Sequence, residues 1–386
     1  MQQVIRPTWA EINLDYLAHN IGQIRRQLAP DCQIIAVVKA DAYGHGSIQI
    51  ARAALAAGAT WLAVSMLDEA VNLRQAGITA PILVMGYTPP EQGAVAARLG
   101  VSLAVYERRG AEGLVEVAKQ TGKTLKVHLK VDTGMSRLGV MASEAVALAS
   151  FLRDLPGCEL EGVFTHLASA DEPDPLPTLK QTQMFSDVLN SLQQVGICAP
   201  LVHVANSAAA VRFPRSRFNA VRLGLAMYGF YPYPGMQEQG ISLIPIMSLK
   251  TTVTHAKWLP VGTPISYGGR FITQRPSYIV TLPIGYGDGL ARSLGGKVSV
   301  YLRGQQVRLV GSICMDQCMA DATAVPEAQA GDEVLVWGSD LSKNTAADFA
   351  GAMGTIVYEV TTMLSKRVPR LYLQSGQIVA VRTLLG

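Results

Sequence analysis

QIIAVVK, residues 33–39, is a β-branched run that carries no charge until its last residue, and similar runs recur up to residue 224. Short apolar runs of this kind are typical of buried strands. Ala- and Leu-rich stretches with a 3.6-residue period lie between many of them, at 47–57, 111–121, 143–152 and 179–195. The other seven runs are WLAVSM (61–66), PILVMG (81–86), VSLAVYE (101–107), LKVHLKV (125–131), LEGVFTHL (160–167), LVHVANS (201–207) and AVRLG (220–224). Eight such β–α units predict an α/β fold, a TIM (β/α)8 barrel.

A doubly wound open sheet is the alternative for a chain that alternates strands and helices. That fold usually has about five or six strands, and its first turn is rich in glycine. No G-x-G-x-x-G follows the first run here, where the sequence continues as ADAYGHG (40–46). The sequence therefore favours the barrel.

The character of the sequence changes after YPYPGMQEQG (231–240), a stretch rich in proline and glycine. Beyond it, alternating apolar runs predict strands in place of β–α units. These runs are LKTTVTHAKWL (249–259), SYIVTLPIGYG (277–287), KVSVYLRGQQVRLVG (297–311) and DEVLVWG (332–338), and one helix is predicted at 346–354. The predicted organisation is a barrel domain over residues 1–240, followed by a mostly β C-terminal domain over residues 241–386.

Composition and charge exclude several classes of function. Only 16% of the 386 residues are charged, against about 25% in ordinary soluble domains. The net charge is +4, and the Lys and Arg residues are scattered along the chain. Nucleic acid is therefore not expected as a partner. The most apolar window, residues 53–67, is too short to cross a bilayer, so no membrane partner is expected either.

The amino-terminal sequence and the cysteines indicate the compartment. MQQVIRPTWAEINLD (1–15) lacks the apolar core of a signal peptide. The five cysteines form an odd and dispersed set, which is typical of reduced thiols in a cytoplasm. Cys314 and Cys318 have no second Cys or His pair at metal-ligand spacing. The sequence therefore predicts a cytoplasmic protein without a bound metal.

The carboxyl ends of the strands line the active site in a TIM barrel. Here those ends carry two lysines, an aspartate, two arginines, a histidine and a hydroxyl group. The residues are Lys39 after the first strand, Lys130, Asp132 and Arg137 at and after the fifth, His166 after the sixth, Ser207 after the seventh and Arg222 in the eighth. Each has an ordinary structural explanation by itself, such as a lysine that ends a strand or a satisfied core histidine. Their convergence on one mouth predicts an active site.

Two features of this mouth indicate a cofactor. Ser207 opens a helical turn whose free N–H groups can bind an anion, and Gly224 lets the backbone approach closely. Both lie after the seventh and eighth strands, where this fold typically binds phosphate. Lys39 can form a Schiff base with an aldehyde. A phosphorylated aldehyde, pyridoxal 5′-phosphate, satisfies both requirements.

Nine segments resemble the motifs of alanine racemases, in family order and across both predicted domains. They are AVVKADAYGHG (36–46), VDTGMSRLG (131–139), FTHLASADE (164–172), HVANSAA (203–209), VRLGLAMYG (221–229), ISYGGRF (265–271), IGYGDG (284–289), GSICMDQCM (311–319) and TIVYEVTTMLSKRVPR (355–370). One such segment alone would be a weak signal. Together they identify the chain as similar to the pyridoxal-phosphate-dependent alanine racemases of fold type III.

The resemblance implies a reaction and its two bases. The expected reaction interconverts L-alanine and D-alanine and supplies D-alanine for peptidoglycan. Racemisation removes a proton from one face of the α-carbon and delivers a proton to the other, so it needs two groups on opposite sides. The resemblance implies that Lys39 holds the cofactor and serves one face, and that Tyr267 serves the other. In this family the tyrosine comes from the partner subunit, so a homodimer is expected, with Tyr267 and Met315 contributed across the interface.

The resemblance also implies a role for each of the other matching residues. The phosphate would be held by Tyr43, Ser207, the backbone of Gly224 and Leu225, and Tyr358. His166 would lie against the ring, and His203 would support Arg222 at the pyridine nitrogen. The remaining set would serve the substrate and its surroundings: Arg137 and the Met315 backbone at the carboxylate, Lys130 as a candidate for carbamylation, and Tyr286 and Asp316 as supporting residues.

Other chemistries remain open from the sequence. A racemase of serine or of a broader range of amino acids is one alternative, because the sequence does not set the volume of the pocket. A decarboxylase of the same architecture is disfavoured, since Arg222 opposite the pyridine nitrogen discourages protonation and makes the ring a weaker electron sink. A cofactor carrier without catalysis would not need the second domain with Tyr267 and Met315.

Overall fold

The chain folds into two compact units. The structure, a computed structural model, describes residues 6–340 and 344–385. One unit, the barrel unit, comprises residues 17–42 and 47–243. The other, the sheet unit, comprises residues 43–46, the described residues from 244 onwards and those up to Tyr16. The predicted boundary at 240 and 241 therefore lies three residues before the division between the units.

Eight parallel strands form a closed barrel in the barrel unit. In chain order they are Gln33–Val37, Trp61–Val64, Ile82–Val84, Ser102–Val105, Leu125–Asp132, Cys158–Phe164, Leu201–His203 and Ala220–Leu223. Each strand pairs with the next, and the eighth pairs with the first at Arg222 and Ile35. A short strand, Val140–Met141, pairs parallel with the end of the fifth strand. The predicted (β/α)8 barrel is confirmed, because all eight apolar runs form its strands.

Helices connect most of these strands. They are Leu14–Arg25, Ser47–Ala56, Leu67–Gln75, Gly93–Leu99, Arg108–Lys119, Ala145–Asp154, Leu176–Gln194 and Ser207–Arg212. Short 3-10 turns occur at Pro90–Gln92, Ala142–Glu144, Pro214–Ser216, Leu225–Tyr228 and Gln237–Gln239. The four helices expected from periodicity are present, with ends that shift by up to three residues. Periodicity locates helix ends poorly, because a terminal turn can be polar on all sides.

The sheet unit contains a ten-stranded sheet. Its strands, in spatial order, are His255–Leu259, Ser277–Leu282, Cys318–Asp321, Gln305–Val310, Ser299–Leu302, Glu333–Trp337, Met247–Thr252, Thr8–Asn13, Arg370–Gln374 and Gln377–Arg382. A two-stranded ribbon, Pro264–Ile265 with Phe271–Ile272, stands apart from it. Helices Ala346–Met353 and Val357–Thr362 and turns Tyr267–Gly269, Tyr286–Asp288 and Arg292–Leu294 complete the unit. The prediction of a mostly β second domain is confirmed.

The strand Thr8–Asn13 belongs to the sheet unit, although the sequence analysis assigned residues 1–240 to the barrel domain. It pairs antiparallel with Met247–Thr252 and parallel with Arg370–Gln374. Thr8, Ala10 and Ile12 are buried between these neighbours. Its alternating pattern predicts a strand with one buried face, but the pairing partners lie more than 230 residues away along the chain. Local sequence therefore does not reveal which domain the strand joins.

No helix among residues 6–340 and 344–385 is both long enough and apolar enough to cross a membrane.

Gly162 provides a test of the packing inside the barrel. A β-carbon at this position would clash with the imidazole of His128 on the neighbouring strand. We expect Gly162→Ala to lower the free energy of unfolding by roughly 1–3 kcal/mol, since an overpacked core must displace a ring or the backbone. Urea unfolding followed by circular dichroism measures the change.

Gly22→Ala is the matched control, because no atom lies within 4 Å of the added carbon in the helix Leu14–Arg25. Alanine should stabilise that helix by roughly 0.5–1 kcal/mol. Equal effects of the two substitutions would show that the barrel tolerates the extra carbon.

Candidate active site

Lys39 starts a left-handed backbone turn two residues after the first barrel strand. Ala40, Asp41, Ala42 and Tyr43 all have φ between 51° and 53°. Such a conformation costs an L-residue roughly 1–2 kcal/mol. Hydrogen bonds hold the turn: Ala40 N–H donates to Glu69 Oε1 at 2.5 Å, and Ala42 N–H donates to the carbonyl of residue 38. A strained segment that is fastened in this way is typical of functional sites.

Lys39, Lys130 and His166 share one cationic environment. Burial lowers the pKa of Lys39, and Arg137 lowers it further. Burial, followed by the charges of Arg137 and Arg222, lowers the pKa of Lys130 to about 8. Burial and the Arg222 charge lower the pKa of His166 to about 3, so this ring is neutral. The structure therefore brings these strand-end residues together at one end of the barrel, in surroundings that favour anions.

Arg222 is almost fully buried, with 3% of its surface exposed, and its Nη hydrogens are all taken by protein acceptors. Nη1 donates to His203 Nδ1 at 2.7 Å and to the His203 carbonyl at 3.0 Å. Nη2 lies within 2.8–3.1 Å of the Thr165 and Val204 carbonyls and of His166 Nδ1. Among the described residues, no acceptor is found for the Nε–H. This donor is left for a ligand atom with a lone pair, such as a ring nitrogen.

Ser207 and the segment after the eighth strand supply donors for an anion. Ser207 Oγ accepts the backbone N–H groups of Gly224 at 3.0 Å and Ala226 at 3.3 Å, so its own O–H remains to donate. The turn Leu225–Tyr228 begins at the same point, and Asn206 caps the helix that starts at Ser207 by accepting from Ala209 N–H. The Ser207 hydroxyl at this turn fits a phosphate group. The Gly224 N–H, which the resemblance implies as a phosphate ligand, donates to Ser207 Oγ in this structure.

The loop that leads to Arg137 is folded around a carboxylate. Asp132 Oδ1 accepts the backbone N–H groups of Gly134, Met135 and Ser136 at 2.8–3.1 Å. Burial alone would raise the pKa of Asp132, but these hydrogen bonds outweigh it and lower the pKa. The carboxylate therefore stays ionised and shapes the loop, and Arg137 follows directly after it.

Tyr267 lies in the sheet unit with a fixed backbone and a free side chain. Ser266 Oγ donates to the Ser312 carbonyl at 2.6 Å, and Ser312 Oγ donates to the Tyr267 carbonyl at 3.1 Å. Ser266 adopts a positive φ of 63°, and Gly268 has a φ of 74°. The tyrosine side chain is 74% exposed. The ring and hydroxyl of Tyr267 are therefore open to another molecule.

Met315, Tyr286 and Asp316 lie on two segments of the sheet unit that pack backbone against backbone. Tyr286 N–H donates to the Cys314 carbonyl at 3.0 Å, and Gly287 N–H donates to the Met315 carbonyl at 2.9 Å. Asp316 accepts from Arg367 at 2.6 Å. Met315 is 53% exposed, and Tyr286 is also exposed. The structure therefore brings these three predicted residues together.

Tyr43 and Tyr358 contact each other edge to face in the sheet unit, with ring centroids 5.4 Å apart. Burial, and to a lesser extent Tyr358, raise the pKa of Tyr43, so its hydroxyl stays protonated and can donate. Gly44 next to it approaches the Thr361 carbonyl so closely that a β-carbon would clash. This contact places both predicted phosphate ligands of the sheet unit side by side.

Comparison with known proteins identifies the family. The model of the alanine racemase N-terminal domain matches residues 12–232, and the model of the C-terminal domain matches residues 246–372. The chain belongs to the alanine racemase family. It is 45% identical to an alanine racemase of Clostridium tetani over 98% of both chains.

Solved structures of alanine racemases agree with this assignment. One from Bacillus anthracis, with bound L-Ala-P, is 40% identical over 99% of both chains with a TM-score of 0.94. One from Clostridium difficile is 38% identical over the full length of both chains with a TM-score of 0.95. The predicted family and fold are confirmed. The individual roles of the site residues remain predictions.

Several residues near the candidate site were not singled out from the sequence. Glu69 accepts Ala40 N–H, and Gln181 contacts Thr133 Oγ1 and the His166 carbonyl. His128 and Glu161 lie in the barrel strands and continue the hydrogen-bonded chain behind His203. The alternation in LKVHLKV would have placed His128 on the same face of its strand as Lys130. No cluster of three potential metal ligands occurs in the part of the chain that the structure describes.

The buried histidines predict a loss of stability in mild acid. His128, His166 and His203 have pKa values below their ordinary value, in each case chiefly because of burial. Below about pH 6.5 the unfolded chain therefore binds more protons than the folded chain. The free energy of unfolding then decreases as the pH is lowered, by up to about 1.4 kcal/mol per pH unit for each histidine. Urea unfolding of the cofactor-free protein at several values between pH 7 and pH 5 measures this.

Carboxylates contribute little in this window, since unfolded Asp and Glu titrate near about pH 4. Stability that stays constant from pH 7 to pH 5 would show that the three rings can take up protons in place.

Proposed function

We propose that the protein interconverts L-alanine and D-alanine with pyridoxal 5′-phosphate as cofactor, by a two-base mechanism, and supplies D-alanine for peptidoglycan. The observation that carries this proposal is Arg222, whose guanidinium is fixed by five protein acceptors while its Nε–H has none among the described residues. When bound, the cofactor supplies the electron-withdrawing ring that makes the α-proton of an amino acid removable. The Ser207 hydroxyl fits its phosphate, and the resemblance adds the backbone of Gly224 and Leu225, Tyr43 and Tyr358.

Arg222 favours racemisation over other reactions of such a cofactor. Its charge would oppose a second positive charge on a ring nitrogen that accepts from its Nε–H. Arg222 would thereby limit the electron withdrawal that the cofactor supplies, which would favour prompt return of a proton to the α-carbon by a residue of the chain. His166 is neutral because of burial and the Arg222 charge. It would therefore add no second positive charge next to the cofactor ring.

Lys39 and Tyr267 would move the two protons. Burial and Arg137 favour the neutral amine of Lys39, which can take a proton on one face. The rigid backbone of Tyr267 holds a hydroxyl for the other face. Arg137 and the backbone N–H of Met315 would bind the substrate carboxylate, and His203, Tyr286 and Asp316 would support these groups.

A homodimer is part of the proposal. The side chains of Tyr267 and Met315 are exposed in the single chain, which supports their contribution to the site of a partner subunit. The five cysteines form no disulfide in the described structure, which supports a cytoplasmic location.

Tyr267→Phe should affect only one enantiomer. The cofactor should remain bound, because Lys39 and the phosphate donors are unchanged. Exchange of the α-proton of D-alanine should persist through Lys39, whereas exchange from L-alanine should fall by orders of magnitude. Incorporation of deuterium from D₂O into each enantiomer, followed by mass spectrometry, measures both rates.

Tyr301→Phe is the matched control, since Tyr301 lies in the strand Ser299–Leu302 and is not among the predicted site residues. A hydroxyl that only packs would change the barrier by ~1–2 kcal/mol, about ten-fold in rate, and equally for both enantiomers. Equal losses in Tyr267→Phe would therefore refute the two-base mechanism. Absence of alanine racemisation by the unmodified protein would refute the proposed function itself.

Lys130 should react with carbon dioxide to form a carbamate. With a pKa of about 8, about a tenth of its amine is neutral at pH 7, against less than about one in a thousand for an ordinary lysine. A carbamate would place an anion within the field of Arg137, Arg222 and Lys39, whose charges lower the pKa of Lys130. A carbamate signal should appear in the ¹³C NMR spectrum of the protein with labelled bicarbonate near pH 8.

The signal should be lost in Lys130→Gln and kept in Lys126→Gln, since hydrogen bonding to Glu161 raises the pKa of Lys126. A signal that survives in Lys130→Gln would assign the carbamate to another lysine.

A further inference from the structure

A continuous file of polar side chains crosses the interior of the barrel behind Arg222. Arg222 Nη1 lies 2.7 Å from His203 Nδ1, His203 Nε2 lies 3.0 Å from His128 Nδ1, and His128 Nε2 lies 3.3 Å from Glu161 Oε2. Both histidines are completely buried. The four residues come from the eighth, seventh, fifth and sixth strands, so the file joins four neighbouring strands of the barrel.

Only one arrangement of protons satisfies every bond in this file. Arg222 can only donate, so His203 must accept at Nδ1 and carry its proton on Nε2. His203 then donates to His128 Nδ1, and His128 carries its proton on Nε2. Glu161, which can only accept when ionised, receives that proton as a hydrogen bond. Both rings are therefore neutral and share one tautomer.

Hydrogen-bond donors around Glu161 stabilise its ionised carboxylate. Ser102 Oγ donates to Glu161 Oε2 at 2.5 Å, and Lys126 Nζ donates to Oε1 at 2.7 Å. Burial alone would raise the pKa of Glu161, but the hydrogen bonds from His128, Lys126 and Ser102 outweigh it and lower the pKa to about 2. The end of the file opposite Arg222 is therefore a fixed negative charge.

The residues around the imidazoles of His128 and His203 fix the position of both rings. Gly162 faces His128, where any β-carbon would clash with the imidazole. The ring of Phe164 stacks on His203, with centroids 4.7 Å apart and an angle of 14° between the planes. Trp61 contacts His128 edge to face. Both histidines are thus held in orientation by aromatic contacts as well as by hydrogen bonds.

Arg222 has no carboxylate partner of its own. Among the described residues, no Asp or Glu oxygen forms an ion pair with it, and its acceptors are neutral carbonyls and rings. A buried charge without a counter-charge is strongly unfavourable. The file offers one at its far end, because an imidazole that donates to a carboxylate becomes a better acceptor at its other nitrogen.

We propose that Glu161 is the remote counter-charge of Arg222, and that Glu161 and His128 are positioning residues which hold Arg222 in place through His203. Neither residue touches the substrate or the cofactor. The consequence for catalysis rests on the proposed function, in which Arg222 contacts the ring nitrogen. The electrostatic effect of Glu161 on Arg222 through the two imidazoles does not depend on the proposed function.

The test compares two glutamates on one strand. Glu161 and Glu159 both pair with Lys126, at 2.7 Å and 3.9 Å, but Glu161 alone reaches His128. Glu161→Gln and Glu159→Gln each remove one charge with little change in shape. The cofactor-free protein is labelled with ¹⁵N-histidine and ¹⁵N-arginine and studied by long-range proton–nitrogen NMR at neutral pH. His128→Gln and His203→Gln assign the ring signals.

In the unmodified protein, both rings should carry their proton on Nε2. In Glu161→Gln, the Nε2–H signal of His203 and the Nε–H signal of Arg222 should shift, although Glu161 touches neither residue. In Glu159→Gln both signals should stay unchanged. A proton on Nδ1 of either ring in the unmodified protein would overturn the proposal without any variant, and so would unshifted signals in Glu161→Gln.

The holoenzyme supplies the second measurement. The kcat for alanine should fall about ten-fold or more in Glu161→Gln with KM changed less than about three-fold, while Glu159→Gln should behave as the unmodified enzyme. Unchanged kcat in Glu161→Gln would overturn the positioning role. If the unmodified protein does not racemise alanine, the proposed function fails, and the NMR comparison still decides whether Glu161 acts on Arg222.

Discussion

A buried guanidinium organises the active end of the barrel. Arg222 stays charged at neutral pH, although burial lowers its pKa to about 9, and only 3% of its surface is exposed. The protein must therefore replace its hydration with oriented acceptors. These acceptors are the carbonyls of Thr165, His203 and Val204 and two imidazoles. Because the carbonyls lie at the ends of the sixth and seventh strands, one side chain from the eighth strand ties three adjacent strands together.

The charge of Arg222 is one of several positive charges grouped in the barrel unit. Lys39, Lys130, Arg137 and Arg222 influence one another electrostatically, and burial makes the neutral forms of the lysines more accessible. Such a cluster would be unfavourable in a protein that bound nothing. It suits a site that receives several anionic groups, and a phosphate, a substrate carboxylate and a carbamate would each offset part of the charge.

The sequence predicted the barrel and the strand-end residues well for a physical reason. Parallel strands buried on both faces are continuous apolar runs, and the fold brings their carboxyl ends to one mouth, so Lys39, His166 and Arg222 could be grouped without knowing any contact. The pairing of Thr8–Asn13 could not be found, because its partners are distant in the chain. The hydrogen bonds of Glu161 and His128 likewise depend on the register between the fifth and sixth strands, which shifts between Val127 and His128.

The left-handed turn after Lys39 was beyond sequence reasoning altogether, since Ala, Asp, Ala and Tyr have no common preference for positive φ. It limits how this stretch can vary in evolution. Most side chains that suit a helix or strand would be poor replacements there, and β-branched ones would be the worst. Glycine, asparagine and aspartate would be accepted most readily. Ala40 and Ala42, which look like the most replaceable residues in the segment, should therefore be among its least tolerant positions to large side chains.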